Sequence, residues 1–331
     1  MILAGDIGGT KTNLAFFSEE GGRLISVTQE SFPSKDYPSL EAVVREFAGG
    51  ASLSEVSAAF GVAGPVLGGR CEATNLPWVI DARALESAFG LKTVAVINDI
   101  VVTAYGIAAL KPEELSVLNE GEPQPGGNMA LIAAGTGLGQ AILFWDGRAY
   151  RASASEGGHT DLAPRNALEI ELLQYLLTKF GRVSYERVLS GPGIVNIYSF
   201  LKEAGHGQEP EWLAEKLQGQ DPSVVITEVA MRGECDLCVK TLHLFVSLYG
   251  AEAGNLALKA MATGGLYIGG GIAPKVLDWL RDGTFMAAFT DKGRLSPLLR
   301  SMPVRVILNE KTALLGAAQY AALERSMEAQ R

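Results

Sequence analysis

Three glycine-rich segments of this 331-residue chain have the composition of phosphate-binding turns. Residues 6–10 read Asp-Ile-Gly-Gly-Thr, residues 135–139 read Gly-Thr-Gly-Leu-Gly, and residues 269–271 are three glycines. Glycine tolerates unusual φ angles and lets an anion approach closely, so such turns can direct several N–H groups at one phosphate. Any one segment could equally be a tight hairpin that binds nothing. The repetition favours phosphate binding.

The candidate phosphate-binding residues are Asp6, Ile7, Gly8, Gly9, Thr10, Lys11, Gly135, Thr136, Gly137, Gly139, Gly269, Gly270 and Gly271. Two common nucleotide-binding motifs do not account for them. The apolar run 140–144 after the second segment reads as a strand, whereas a Rossmann fingerprint requires a helix there. The chain has no Gly-x-x-x-x-Gly-Lys-Ser/Thr sequence, which excludes a P-loop.

Asp6 is a candidate metal ligand. A carboxylate beside a phosphate-binding turn repels the phosphate unless a cation lies between them. Mg²⁺ prefers one or two carboxylates together with waters and phosphate oxygens. Asp6 therefore suits Mg²⁺, directly or through water. The alternative is an aspartate that stabilises the turn by bonding to nearby backbone.

Asp99 is a candidate functional residue. It follows the apolar run 93–97, and catalytic side chains tend to emerge where a strand of an α/β sheet ends. Phosphoryl transfer to an alcohol needs a group that accepts the hydroxyl proton. An aspartate with an ordinary pKa of about 4 is ionised at neutral pH and can do so late in the reaction. The alternative is an N-cap for a helix that starts near Ile100.

Strand and helix patterns alternate along the chain, which predicts an α/β fold. The predicted strands are 2–7, 13–17, 24–32, 57–63, 93–97, 129–134, 140–144, 265–269 and 304–308. The predicted helices are 40–47, 82–89, 101–110 and 312–325.

The glycine hairpin at 6–10 recurs at 135–139, about one domain length later, which suggests an internal duplication. We expect two α/β domains with an active-site cleft between them. The smaller would hold residues 1–110 and the C-terminal helix, about 312–331. The larger would hold residues 111–311.

Composition limits the partners and the location. The net charge of -9 is spread along the chain without a Lys/Arg stripe, which argues against nucleic acid as a partner. The N-terminus lacks the basic and long apolar regions of a signal peptide, and the longest apolar helix pattern contains charged residues. Three cysteines are too few for a secreted disulfide framework. We expect a cytoplasmic protein without a membrane partner.

Cys235-Asp-Leu-Cys238 could be redox-active or half of a zinc site. It lies within a helical pattern over 229–248 and has no second cysteine pair, so we interpret both cysteines as buried helix residues. Gly250 and Gly254 share one helix face and predict close packing.

Residues 5–13 (Gly-Asp-Ile-Gly-Gly-Thr-Lys-Thr-Asn) resemble the first phosphate motif of the bacterial glucokinases, within the hexokinase–actin–heat-shock ATPase superfamily. Further motifs fall in that family's order over essentially the whole chain. They are Asn98-Asp99, Gly135–Gly139, Ser155-Glu-Gly-Gly-His159 and Gly269–Ile272. The ROK family also resembles the chain at Glu156–His159. However, no cysteine lies between Cys71 and Cys235, so the ROK zinc site cannot be built and the chain resembles the branch without zinc.

The resemblance implies two actin-like (ribonuclease H-like) domains, ATP with Mg²⁺, and transfer of phosphate to the 6-hydroxyl of glucose, giving glucose 6-phosphate and ADP. It assigns Asp99 as the base and implies a homodimer. The sugar-binding candidates are Asn75, Asn98, Asp99, Glu156, His159 and Glu186.

Alternatives stay open for several of these assignments. His159 could be a structural histidine, Glu186 a solvated residue at a helix start, and Asn75 a turn residue before Pro77. The substrate could be fructose, mannose or an amino sugar. The protein could also be a sensor that binds sugar and ATP without catalysis.

Overall fold

The structure is a computed structural model that describes residues 1–21 and 23–328, and the chain forms two compact units. The first unit contains Met1–Glu114, Tyr150–Ala154 and the C-terminal segment from Asn309. The second contains Leu115–Ala149 and Ser155–Leu308.

The strands of the described residues are β1 (Ile2–Ile7), β2 (Lys11–Glu20), β3 (Arg23–Pro33), β4 (Ser57–Val62), β5 (Val66–Leu67), β6 (Arg70–Glu72), β7 (Val79–Asp81), β8 (Thr93–Asn98), β9 (Leu115–Asn119), β10 (Met129–Ala134), β11 (Leu138–Trp145), β12 (Tyr150–Ser155), β13 (Gly265–Gly269) and β14 (Val304–Ile307). Their α-helices are α1 (Leu40–Ala48), α2 (Ala82–Phe89), α3 (Asp99–Gly106), α4 (Ala167–Phe180), α5 (Gly191–Glu203), α6 (Glu211–Gly219), α7 (Pro222–Met231), α8 (Asp236–Ala260), α9 (Leu277–Arg281), α10 (Thr284–Thr290), α11 (Ser296–Ser301) and α12 (Thr312–Glu328).

The first unit is built on a sheet of order β3-β2-β1-β4-β8. Strand β1 runs antiparallel to β2 and parallel to β4, and β4 runs parallel to β8. In this register Ile7 is opposite Val62, and Val62 is opposite Asn98. The carboxyl ends of β1, β4 and β8 therefore meet at one edge of the sheet.

Helices α3 and α12 pack tightly against each other beside this sheet, and two glycines permit the contact. A Cβ placed on Gly316 of α12 would lie 1.6 Å from the backbone oxygen of Val102. A Cβ on Gly106 of α3 would lie 2.1 Å from the backbone oxygen of Thr312. Because α3 begins at Asp99, this packing fixes the helix that carries the candidate base.

The second unit contains the neighbouring strands β11-β10-β13-β14-β9. Strand β10 is antiparallel to β11 and parallel to β13, so the carboxyl ends of β10 and β13 lie at the same edge. Helix α8 is largely buried behind the sheet. A Cβ on Gly250 would lie 2.2 Å from the backbone oxygen of Phe285 in α10, and one on Gly254 would lie 2.5 Å from that of Phe289. The predicted close packing at both glycines is confirmed.

The continuous helical pattern predicted over 229–248 is wrong. Helix α7 ends at Met231, Gly233 adopts a left-handed φ of 68°, and α8 starts at Asp236 with Cys235 as its N-cap. Glycine reaches this conformation at little cost, and the chain turns there. Cys235 and Cys238 are both buried, as expected.

Several predicted boundaries also shift. Strand β11 begins at Leu138, so Gly139 is a strand residue and not part of the turn. Helix α3 begins two residues earlier than predicted and continues as a 3-10 helix over Ile107–Ala109. Within 1–21 and 23–328, no helix combines the length and the apolar character needed to cross a membrane.

Gly316→Ala tests the α3–α12 contact. Alanine improves helix propensity by up to about 1 kcal/mol, but overpacking typically costs about 1–3 kcal/mol or more. We expect a net loss of about 2 kcal/mol in the free energy of unfolding, measured by circular dichroism in urea. Gly219→Ala is the control, because nothing lies within 4 Å of a Cβ there. Unchanged stability of Gly316→Ala would contradict the contact.

Candidate active site

The turn between β1 and β2 is held by a buried serine that sequence reasoning missed. The N–H of Gly8 donates to the oxygen of Lys11 at 2.9 Å. The hydroxyl of Ser34 donates to the oxygen of Gly8 at 2.7 Å, and its N–H donates to the oxygen of Thr10 at 3.0 Å. The Thr12 hydroxyl bonds to that of Ser34 at 3.0 Å, and both side chains are fully buried. Ser34 thus fixes the carbonyl groups of Gly8 and Thr10.

Asp6 lies on β1 one residue before the carboxyl end of the strand, opposite Asn13 of β2. The Nδ2 of Asn13 donates to Asp6 Oδ2 at 3.3 Å, and Asn13 Oδ1 accepts from Ser31 Oγ at 2.8 Å. Burial raises the pKa of Asp6, and the bond from Asn13 opposes that shift only in part. A nearby cation would favour the ionised carboxylate, which is consistent with a metal role.

Asn75 lies directly on the first glycine turn. A Cβ on Gly9 would lie 2.6 Å from Cβ of Asn75, so a side chain at position 9 would displace the asparagine. The neighbouring Thr74 holds this loop, because its N–H and its hydroxyl both donate to the oxygen of Ala63, at 3.1 and 3.2 Å. The structure therefore brings Asn75 and the first phosphate turn together.

Asn98, and not Asp99, is the N-cap of α3. Its Oδ1 accepts from the N–H of Ile100 at 3.1 Å, and its Nδ2 donates to the oxygen of Gly64 at 3.1 Å. Asp99 is the first helical residue, and its Oδ1 also accepts from Ile100 at 2.8 Å. The N-cap at Asn98 therefore fixes Asp99 as the first residue of α3. The alternative in which Asp99 is itself the N-cap is wrong.

Cys71 is buried in the surroundings of Asp99. Burial and, second, the charge of Asp99 raise the pKa of the Cys71 thiol. The Cys71 sulfur would lie 3.0 Å from a Cβ on Gly64, the residue whose oxygen holds Asn98. The first unit thus gathers Asp6, the Gly8–Thr10 turn, Asn75, Asn98 and Asp99 at one sheet edge.

The second and third glycine segments adjoin each other in the second unit. A Cβ on Gly270 would lie 2.2 Å from the oxygen of Ala134, and Gly270 has a left-handed φ of 82°. The N–H of Ile272 donates to the same oxygen at 3.3 Å. Within the second turn, the N–H of Gly135 donates to the oxygen of Gly137 at 2.9 Å. These turns form one surface at the ends of β10 and β13.

Glu186 lies against the second glycine turn, within the 3-10 helix Tyr185–Arg187. Its Oε2 accepts from the N–H of Leu138 at 2.9 Å and would lie 2.6 Å from a Cβ on Gly137. This half-buried carboxylate is not the solvated residue that the sequence alone allowed.

Glu156 and His159 flank two glycines that pack on β11. A Cβ on Gly157 would lie 2.0 Å from Gln140 Oε1, and a Cβ on Gly158 would lie 2.0 Å from the oxygen of Leu138. At Gly158 the neighbour is backbone, so only glycine fits there, and the chain between Glu156 and His159 packs directly on the strand.

The segment after His159 joins the segment that carries Glu186. The N–H of Tyr185 donates to the oxygen of Thr160 at 3.0 Å, and Arg182 donates to the backbone oxygen of His159 at 2.6 Å. These bonds bring Glu156, His159 and Glu186 to the same end of β11, as the sugar-site prediction requires.

A cavity of about 380 Å³ lies next to the second and third glycine segments. It is lined by Ile194, Ser223, Val224, Thr227, Met231 and Ile272, among others. The N–H of Gly191, at the start of α5, donates to the oxygen of Gly135 at 2.8 Å and ties the cavity to the second turn. Sequence reasoning missed this cavity, because its apolar residues on α5 and α7 read as ordinary helix positions.

Among residues 1–21 and 23–328, no group of three or more His, Cys, Asp or Glu side chains is placed to hold a metal ion. Mg²⁺ that travels with a nucleotide does not need such a group, since phosphates and waters supply most of its ligands. The single carboxylate of Asp6 beside a glycine turn fits that mode.

Comparison with known proteins gives a consistent result. The family model described as Glucokinase matches residues 3–324. The glucokinase of Nostoc sp. is 43% identical over 338 residues, which cover 97% of this chain and 99% of the relative. The glucokinase of Tolumonas auensis is 37% identical over 319 residues, covering 96% of each chain.

The crystal structure of a glucokinase from an Antarctic psychrotroph matches with a TM-score of 0.86 at 32% identity, over 97% of this chain and 98% of that one. The predicted fold class, α/β with the actin-like ATPase fold, is confirmed. The sequence and structure comparisons together show that the chain belongs to the glucokinase family.

Proposed function

We propose that this protein transfers the γ-phosphoryl group of ATP to the 6-hydroxyl of glucose, giving glucose 6-phosphate and ADP. One observation carries the proposal beyond family membership. The turn at Gly8–Thr10, which Ser34 holds in place, lies next to the Asp6 carboxylate. Asp99, at the start of α3, lies at the same edge of the sheet in the first unit. Phosphate positioning and a proton acceptor are the two requirements of phosphoryl transfer to an alcohol.

The phosphates of ATP would be held by backbone N–H groups of the three glycine segments. The cavity beside Gly135 and Ile272 would take the adenosine, because base and ribose need a largely apolar recess next to the phosphates. Asp6 would hold Mg²⁺, directly or through water. The ion, when bound, neutralises charge on the transferring phosphate.

Asp99 would accept the proton of the sugar 6-hydroxyl. The bond from Ile100 and the N-cap at Asn98 hold the carboxylate at the start of α3, so little reorganisation is needed when the hydroxyl arrives. The sugar hydroxyls would be bound by Asn75, Asn98, Glu156, His159 and Glu186. Glu186 also accepts from Leu138, so a sugar bound to it is linked to the second phosphate turn.

Asp99 belongs to the first unit and Glu156 to the second. The two predicted domains, 1–110 with the C-terminal helix and 111–311, would carry these groups. We further propose a cytoplasmic homodimer without a nucleic-acid or membrane partner. Light scattering of the purified protein tests the dimer.

The direct test is an ADP-release assay with glucose, fructose, mannose and glucosamine. Glucose should give the highest kcat/KM, because epimers leave polar groups of the site unpaired. A higher kcat/KM for another hexose would show that this hexose, and not glucose, is the substrate. ATP and glucose binding without ADP release would indicate a sensor instead.

Asp99→Asn tests the base. The amide keeps the size and the bond to Ile100 but cannot accept a proton. We expect kcat to fall by about 10²–10⁴-fold, while the Kd for glucose, measured by calorimetry, changes only a few-fold. Asp278→Asn, at an exposed position on α9, is the control and should leave kcat unchanged. A kcat of Asp99→Asn within twofold of the original would refute the assignment.

Asp6→Asn tests the cost of ionising the half-buried Asp6 carboxyl. Since burial raises the pKa of Asp6, stability is lost as the pH rises through that pKa, and a neutral residue removes the loss. We expect Asp6→Asn to raise the Tm of the nucleotide-free protein at pH 7 and to lower kcat with Mg-ATP. The gain in Tm should vanish at a pH where Asp6 is protonated. A lower Tm at pH 7 would contradict this account.

Val224→Trp tests the adenosine cavity. The side chain of Val224 lines the cavity and is 42% exposed, so tryptophan can enter it without disrupting the core. The KM for ATP should rise about tenfold, with the KM for glucose unchanged, because the cavity is filled. Ile170→Trp is the matched control, at 47% exposure on α4. Equal KM values for ATP in both variants would place the adenosine elsewhere.

A further inference from the structure

A cluster of polar side chains lies directly beneath the loop that carries Glu156 and His159. Its members are Gln140 of β11, Tyr185, Glu252 and Asn255 of α8, and Lys292. Glu252 is fully buried, at 0% exposure. A buried carboxylate is costly unless several donors satisfy it, so its presence here calls for a function or a strong structural reason.

Each oxygen of Glu252 has a donor. Gln140 Nε2 donates to Glu252 Oε1 at 2.8 Å, and Asn255 Nδ2 donates to Glu252 Oε2 at 2.9 Å. Asn255 Nδ2 also donates to the hydroxyl oxygen of Tyr185 at 3.0 Å. Burial and, second, the negative charge of Glu252 raise the pKa of Tyr185 to about 12. Tyr185 is therefore neutral at neutral pH, and Asn255 joins it to Glu252.

Lys292 brings a positive charge to the cluster through Asn255. Its Nζ donates to Asn255 Oδ1 at 2.7 Å and to the backbone oxygen of Ala251 at 3.0 Å. The lysine stem crosses α8 at Gly254, where a Cβ would lie 2.8 Å from Lys292 Cε. Burial lowers the pKa of Lys292, and Glu252 acts in the opposite direction. The opposite charges of Lys292 and Glu252 therefore stabilise each other.

The cluster reaches the proposed sugar site at two points. A Cβ on Gly157 would lie only 2.0 Å from Gln140 Oε1, so the Gln140 carboxamide packs directly against the 156–159 loop. Tyr185 directly precedes Glu186, whose carboxylate holds the N–H of Leu138. Glu252 binds Gln140 directly and Tyr185 through Asn255, and so connects the two sugar-binding segments.

We propose that Glu252 is a positioning residue for glucose, acting through Gln140 on the 156–159 loop and through Asn255 and Tyr185 on Glu186. This inference rests on the proposed glucose site. It concerns affinity for the sugar and leaves the ATP site and the proton transfer at Asp99 unaffected. Buried polar networks of this kind are effective positioning devices because each member restricts the orientation of the next.

Glu252→Gln is the critical variant. The new amide keeps the volume but removes one acceptor. Either Gln140 Nε2 or Asn255 Nδ2 then faces an amino group, and that residue can regain a bond only by turning its own carboxamide. We expect the KM for glucose to rise about tenfold, with the KM for ATP and kcat within twofold. Glu169→Gln is the matched control, an equally buried glutamate whose bonds go to Arg165 and Asn166. It should leave the KM for glucose unchanged.

Hydrogen exchange gives a second readout that does not depend on activity. Amides of 155–160 and 185–187 should exchange faster in Glu252→Gln than in the original protein, and at the original rate in Glu169→Gln. Tyr185→Phe removes the hydroxyl that accepts from Asn255, with little change in volume. It is the second variant to use if Glu252→Gln does not fold, and it should shift both readouts in the same direction. Absence of sugar phosphorylation in the original protein would overturn the proposed function. The exchange rates of residues 155–160 and 185–187 would still show whether Glu252 positions these segments. Unchanged KM and unchanged exchange in an active enzyme would overturn the role of Glu252 alone.

Discussion

The parallel pairing of strands is the constraint on which both halves of the candidate site depend. In the first unit, β1, β4 and β8 end at one edge, so the glycine turn after Ile7 and the Asn98-Asp99 pair come together although about ninety residues separate them in sequence. In the second unit, β10 and β13 do the same for the second and third glycine segments. Antiparallel pairing of these strands would place the same residues at opposite ends of the sheet.

Glycine has a second role here besides phosphate binding, because it allows backbones and side chains to touch where no Cβ fits. Gly9 admits Asn75, Gly157 admits Gln140, and Gly316 admits the backbone of α3. These contacts restrict where the neighbouring groups can lie, and directed hydrogen bonds to a sugar depend on such positioning. The price is intolerance of substitution at each contact.

Local sequence patterns predicted the fold well and the support of the site poorly. Strand β1 and the glycine turn were predictable because apolar runs and glycine clusters are local signals. The clamp at Gly8 depends on Ser34, 26 residues away, and the pairing of Gln140 with Glu252 spans 112 residues. No local pattern marks such partners. The break before Cys235 was missed because the residues on both sides of Gly233 continue the helical spacing.

Glucose labelled with ¹³C at carbon 6 tests the central claim most directly. With Mg-ATP and the protein, the ¹³C signal should acquire a coupling to ³¹P as ADP forms, with one ADP for each labelled phosphate ester. ADP without phosphorylated carbon 6, or phosphate on another carbon, would contradict the account, because the carboxylate of Asp99 is assigned to the 6-hydroxyl alone.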